Sequence, residues 1–253
     1  MIYDVQKAGI MKRMSAWLLD AILLLILAVG LAGLFAVVVD YDSYVNDYNG
    51  YYSHYETEYG VTFDVPQEKW EAMTQAEKDN YDAAYKALIE DEQAMRAYNM
   101  ILNLTLIELT GSILLAYLIL EFAIPLWLKN GQTVGKKVFG IALMRTHGVK
   151  INPVCLFIRT VLGKYTVETM IPVLVVLMLI FGIAGLPGTI LIFCLLAVQL
   201  ALFLASRNHT VIHDRMADTV AVDMASQMIF DSEEALLEYK KKVSAEKADK
   251  QLY

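Results

Sequence analysis

Four apolar runs divide this chain, and each is long enough to matter to a lipid bilayer. The first extends from Ala16 to Val39, the second from about Ile101 to Leu128, the third from about Val167 to Ala184, and the fourth from about Pro187 to Ala205. Crossing the hydrocarbon core takes about 20 apolar residues in a helix, so the pattern predicts four transmembrane helices. Only the turn-rich stretch Gly182 to Gly188 separates the last two, which makes them an antiparallel hairpin. The first run follows Lys7, Lys12 and Arg13, as a signal peptide would. Its length, its Asp20 and the lack of a clean small-residue cleavage site before Asp40 instead predict a retained anchor.

Between the first two runs the period changes. Tyr41, Tyr44, Tyr48, Tyr51, Tyr52, Tyr55 and Tyr59 recur at steps of mostly three or four, the period of one helical face. A turn through Gly60 to Val65 then leads to Pro66, which suits a first helical position, and Thr74 with Glu77 reads as a capping box. Tyr81, Ala84, Tyr85, Leu88, Ile89 and Met95 carry an apolar stripe towards the second run. The pattern predicts an extracytoplasmic helical hairpin with a tyrosine-rich seam. That seam reads either as packing or as a docking surface, since Tyr is favoured where proteins recognise one another.

After the second run, Asn130 and Gly131 end the helix. Val138 to Met144 and Thr219 to Met224 are β-prone and able to pair. Asn152 and Pro153 start a helix carrying Arg159 and Lys164, expected along the inner membrane interface before the third span. A solvated amphipathic helix follows Phe230. The expected fold is all-α: a four-helix transmembrane bundle with an extracytoplasmic hairpin and a small cytoplasmic β element. Its segments are 1–39 (N terminus and first span), 40–98 (hairpin), 99–128 (second span), 129–166 (basic loop), 167–206 (third and fourth spans) and 207–253 (C-terminal segment).

Composition agrees with a membrane protein: 253 residues, 57% hydrophobic, mean hydropathy +0.44. The net charge of -7 says less than its distribution. Residues 40–100 hold 14 acids against 4 bases, whereas residues 129–164 hold 7 bases and no acids. Because Lys and Arg accumulate in short cytoplasmic loops, both termini and the 129–166 loop are expected inside a bacterial plasma membrane, with the acidic hairpin outside. This charge balance gives no reason to expect nucleic-acid binding. Cys155 and Cys194 both fall in apolar surroundings, imply no disulfide framework and are expected to be small core residues.

The candidate chemistry lies in charges that the apolar runs contain. Asp20 follows Arg13 by seven residues, about two turns along one helical face and about 10 Å deeper. An Asp near the middle of a span costs roughly 2.5–3.5 kcal/mol on insertion scales and usually faces a protein or water-filled interior. Glu108 and Glu121 lie in the second run, and Glu121 matches the inner depth of Asp20. With Arg13, and with Arg207, Asp214 and Arg215 just past the fourth run, Asp20 and Glu121 define an inner polar cluster. Such a cluster is either an ion-pair network that orients helices or a site for a monovalent cation or proton, with Glu108 as a further step on an ion path.

His209 and His213 have helical metal-ligand spacing, but no companion cysteine or Glu motif supports a metal site. Gly131, Gly135 and Gly140 around Lys136 and Lys137 lack Walker spacing; they predict a turn, with the lysines at the membrane surface near anionic lipid. No nucleophile-and-base arrangement stands out, so neither enzyme activity nor a cofactor is expected.

Three segments of this sequence resemble the RDD family of bacterial membrane proteins, named for one arginine and two aspartates. They are Arg13-Met-Ser-Ala-Trp-Leu-Leu-Asp20, then Gly131-Gln-Thr133-Val-Gly135-Lys136-Lys137 continuing through Gly140 and Ile141, and Ile212-His213-Asp214-Arg215-Met-Ala-Asp218-Thr219-Val220. The resemblance makes Arg13, Asp20 and Asp214 the family's arginine and two aspartates. It covers about residues 8–39 and 100–224, leaving out the tyrosine-rich hairpin and the tail. It implies a multi-span inner-membrane protein, in a family that includes proposed cation/proton antiporters and accessories of membrane peptidases or peptide resistance. The leading expectation is a noncatalytic membrane module that binds a partner protein or peptide through its hairpin. The alternative is cation/proton antiport through Asp20 and Glu121. Four spans are few for a carrier, so antiport would require a homo-oligomer.

Overall fold

A computed structural model describes residues 5–128, 130–206 and 210–251. Its long helices follow the apolar runs. Four are long and apolar enough to cross a membrane: α1 (Ile10–Val38), α5 (Glu92–Trp127), α7 (Pro153–Ile180) and α8 (Gly185–Ala205). The remaining elements, in chain order, are α2 (Tyr41–Tyr59), α3 (Gln67–Ala72), α4 (Gln75–Glu90), α6 (Val134–Val138), β1 (Ile141–Arg145), α9 (Ile212–Met216), β2 (Thr219–Asp223) and α10 (Glu233–Gln251). The chain forms two compact units, one of residues 29–112 and the other of residues 1–28 with 113–253.

In the 29–112 unit, α2 packs on α4 as a helical hairpin. Asp40, in the left-handed conformation, separates α1 from α2, and Gly60, also left-handed, closes α2. Thr74 and Glu77 form the capping box that opens α4, with the Thr74 amide donating to Glu77 Oε2 at 2.7 Å. Asp91 interrupts the path and restarts it. Its Oδ1 accepts the Gln93 and Ala94 amides at 2.7 and 3.2 Å, capping the first turn of α5. The core is small, comprising Phe63, Ala84, Leu88 and Ala94, and the tyrosines Tyr51, Tyr52, Tyr55, Tyr59 and Tyr81 pack against it. Three of their hydroxyls bond within this unit: Tyr51 donates to Gln93, Tyr55 to Asp91 and Tyr81 to the Phe63 carbonyl. A ring buries a large apolar area and its hydroxyl still needs a partner, so four of the seven periodic tyrosines, Tyr51, Tyr52, Tyr55 and Tyr59, serve packing.

In the other unit, β1 and β2 pair antiparallel with Ile141 opposite Asp223 and Arg145 opposite Thr219. Four successive residues of each strand are buried because both faces of this ribbon are covered. Ile141 and Leu143 meet Ala8, Ala16 and Ala221 on one face, and Ala142, Met144, Val220 and Val222 meet on the other. The chain before α1 is held along β2 by the Asp223 amide, which donates to the Gln6 carbonyl at 2.9 Å. The strand pairing matches the expectation, but the first strand begins at Ile141, since Val134 to Val138 is helical.

The third spanning helix starts earlier than its apolar run suggests. Asn152 accepts the Cys155 amide at 2.7 Å as its N-cap, and the helix continues unbroken from Pro153 to Ile180. No separate interfacial helix precedes it, because Arg159, Lys164 and Glu168 find partners inside the protein. Cys155 is half-buried, and Cys194 is exposed on the apolar surface of α8 rather than buried in a core. Helix α8 buries little of itself, so even a small side chain there lies on its exposed surface.

Replacing the hairpin's cap should loosen it locally. Thr74→Ala is expected to cost about 1 kcal/mol, read as faster amide hydrogen exchange in the first turn of α4 with unchanged exchange in β1 and β2.

Candidate functional site

Asp20 is bound on three sides. Its Oδ2 accepts the Thr133 hydroxyl at 2.5 Å, its Oδ1 accepts the Gly135 amide at 2.7 Å, and Lys136 Nζ lies 3.6 Å away. Thr133 also caps α6 through the Lys136 amide. The glycine-threonine-glycine-lysine segment is therefore a short helix start docked on a buried carboxylate. Gly135 is required by the approach: a Cβ there would stand 2.3 Å from the Ala16 carbonyl oxygen. Gly131 sits at φ +61, where a Cβ would meet Ile151 at 2.8 Å. Lys136 is largely covered beside Asp20 rather than spread on a membrane surface. Burial, followed by the nearby Lys164 charge, pushes its ammonium down to about 8.

Asp214 is the centre of a second group. Arg159 Nε donates to its Oδ1 at 3.0 Å, and Arg13 Nη2 approaches its Oδ2 at 3.8 Å. Burial by itself would raise the Asp214 pKa; the fields of His213, Arg159 and Arg13 reverse that and hold the carboxyl below its ordinary range. His213 lies beside it, with Nδ1 2.7 Å from Glu168 Oε2 and Nε2 2.8 Å from Arg159 Nη2. The Glu168 carboxylate also accepts the His213 amide at 3.0 Å. Gly163 makes room for this contact, since a Cβ there would sit 2.5 Å from that of His213.

Glu121 belongs to a third group. Lys164 Nζ donates to its Oε1 at 2.6 Å, while its buried Oε2 has no hydrogen-bond partner among the described residues. Arg159 Nη1 is likewise buried without one. Such orphaned groups are expensive in a low-dielectric interior. All three groups line one cavity of about 660 Å³, completed by apolar side chains such as Trp17, Leu24, Leu200 and Phe203.

Two prolines help to shape these walls. Pro125 has no amide hydrogen to give the carbonyl four residues back, which is that of Glu121. The Thr160 hydroxyl donates to that carbonyl instead, at 2.9 Å. Pro172 stands in the same relation to Glu168. Before each proline the helix widens to i→i+5 bonding, over Leu118–Ala123 and Ile158–Met170. Wide turns of this kind are frequent at functional sites.

The cavity thus gathers Arg13, Asp20, Glu121, Lys136, His213 and Asp214, with Thr133 and Gly135 supporting Asp20. Arg215 is exposed, and Glu108 falls in the other unit. Arg207 and His209 lie outside the described residues, and with His209 the paired-imidazole reading. Glu168 is missing from the sequence reading, and Arg159 and Lys164 are placed there at an interface. A signal exists for Glu168: Glu121-Phe-Ala-Ile-Pro125 recurs as Glu168-Thr-Met-Ile-Pro172, each an acid four residues before a proline on an apolar helix.

A bundle of bilayer-length helices with a charged cavity in its interior defines an integral membrane protein. Residues 7–218 match the RDD family, and the chain belongs to that family. No curated protein and no solved structure matches it.

Adding one methyl group should separate α1 from α6. Gly135→Ala is expected to destabilise the protein by about 1–3 kcal/mol through overpacking, visible as a lower thermal midpoint in detergent. Gly9→Ala, where a Cβ meets nothing within 4 Å, should leave the midpoint unchanged.

Proposed function

We propose that this RDD protein exchanges a monovalent cation and protons across the bacterial plasma membrane, with Glu121 as the carrying carboxylate. The observation that supports this most is the Glu121 Oε2 atom, buried on the wall of a charged cavity without a hydrogen-bond partner among the described residues. Scaffolding alone gives little reason to keep such a group, because buried ion pairs replaced by apolar residues often leave a protein equally or more stable. Lys164 is an internal counter-ion that holds Oε1 while no cargo is present and withdraws when a cation neutralises the carboxylate. Asp20 is saturated by Thr133, Gly135 and Lys136 and anchors the site rather than carrying the ion. By the positive-inside bias, the cavity opens towards the cytoplasmic side. The cycle involves no covalent chemistry, and with four spans per chain it requires a homo-oligomer.

Docking of a partner protein or peptide on the hairpin has less support, because four of the seven periodic tyrosines that suggest it pack on the hairpin's own core. Half-buried Tyr41, Tyr44 and Tyr48, with exposed Tyr85 and Ile89, are what that reading has left.

Reconstituted protein is expected to show sodium or potassium flux coupled to a pH gradient, reduced at least about tenfold by Glu121→Gln. Flux that is absent from the wild type, or equal in wild type and Glu121→Gln, would sink the proposal.

A further inference from the structure

The contacts of His213 fix its tautomer. A guanidinium has donors only, so Nε2, 2.8 Å from Arg159 Nη2, must be the accepting nitrogen. The hydrogen is then on Nδ1 and is donated to Glu168 Oε2 at 2.7 Å. A second proton can enter the ring only at Nε2, where it turns the Arg159 contact into two donors facing each other. An acceptor is already close, because Asp214 Oδ1 lies 3.5 Å from Nε2. That oxygen is the one now bound to Arg159.

We infer that His213 is the proton-uptake residue of the cavity, and that its protonation transfers Arg159 from Asp214 to Glu121. In the exchange one proton adds to Nε2, the new Nε2–H bonds Asp214 Oδ1, and Arg159 leaves both His213 and that oxygen. The freed guanidinium has a place to go. Thr160, the next residue, already touches the Glu121 carbonyl, and both Arg159 and Glu121 line the cavity. Arg159 Nη1 and Glu121 Oε2 are a buried donor and a buried acceptor, each without a hydrogen-bond partner among the described residues. Their union satisfies both and occupies the oxygen that would hold a cation. Proton and cation then exclude one another, as an exchanger requires, so this inference rests on the transport reading and supplies its coupling step.

The groups that govern this titration are Asp214 on α9 and Arg159 and Glu168 on α7. Arg13 on α1, Glu121 on α5, Lys136 on α6 and Lys164 on α7 line the same cavity, and the uncharged Gln199 on α8 accepts the Ile212 amide at 3.3 Å. Burial, opposed by the Asp214 charge, lowers the His213 pKa from its ordinary value. The sign follows. Below pH 6.5 an unfolded histidine binds a proton that the folded one resists, so folded-state stability falls as pH falls from 6.5 to the lowered pKa.

The test uses the full chain in phosphatidylethanolamine and phosphatidylglycerol vesicles, with sodium and with potassium. Apparent KM for the transported ion is expected to rise about tenfold per pH unit below the His213 transition. His213→Gln, whose side-chain oxygen still accepts from Arg159 but does not titrate, should show less than about a twofold change. An unchanged pH profile in His213→Gln would overturn the inference. Nitrogen NMR of the wild type in detergent decides independently of flux. Nδ1–H at pH 8, with Arg159 signals moving as His213 titrates, supports the exchange. Nε2–H at pH 8, or Arg159 signals that stay still, overturns it. Absent flux with the NMR signature intact would instead refute the transport reading alone.

Discussion

Charge taken out of water has to be met by opposite charge and by hydrogen bonds, and the site's architecture follows from that requirement. Asp20, Glu121, Glu168 and Asp214 lie in one apolar bundle, and each has a basic or imidazole partner. To supply those partners, α6 must dock its first turn against α1 and α7 must present Arg159 and Lys164 inward. The β ribbon serves the same end. Covered on both faces and joined to the chain before α1, it fixes where α1 begins and where Asp214, five residues before Thr219, comes to rest.

Different parts of this arrangement were legible to different degrees. The four spans follow from length and hydropathy alone, since a single segment inside lipid satisfies its own backbone only as a helix. Thr74 with Glu77, and Asn152 with Pro153, act where local chemistry places them because capping involves neighbours in sequence. Asp20, Glu121 and Asp214 stand out as charges near or within apolar runs, yet apart from Arg13 their partners do not. Arg159 and Lys164 occupy a stretch that reads as interfacial by composition, and only tertiary contact turns them inward. Lys136 deceives in the same way, since a lysine beside glycines resembles a surface loop until Asp20 is seen beneath it.

The tyrosines of the hairpin teach the converse lesson. Their period was plain, but period reports a face and not what covers it. Here the cover is the hairpin's other helix and a core of few residues. A small core gains from rings that bring large area and hydroxyls that close on Gln93, Asp91 and a carbonyl.

The wide turns of α7 set the phase of its side chains. In an α-helix each residue advances about 100°, so two residues five apart end about 140° out of alignment. Arg159 and Lys164 are five apart, and Lys164 and Glu168 four apart, yet all three line one cavity. The i→i+5 stretch accommodates the extra residue, acting as a one-residue insertion absorbed without a loop. Tightening those turns to α geometry would rotate Arg159 out of alignment with its neighbours. The helix thus stores a choice of angular register, and the site exists in only one of its settings.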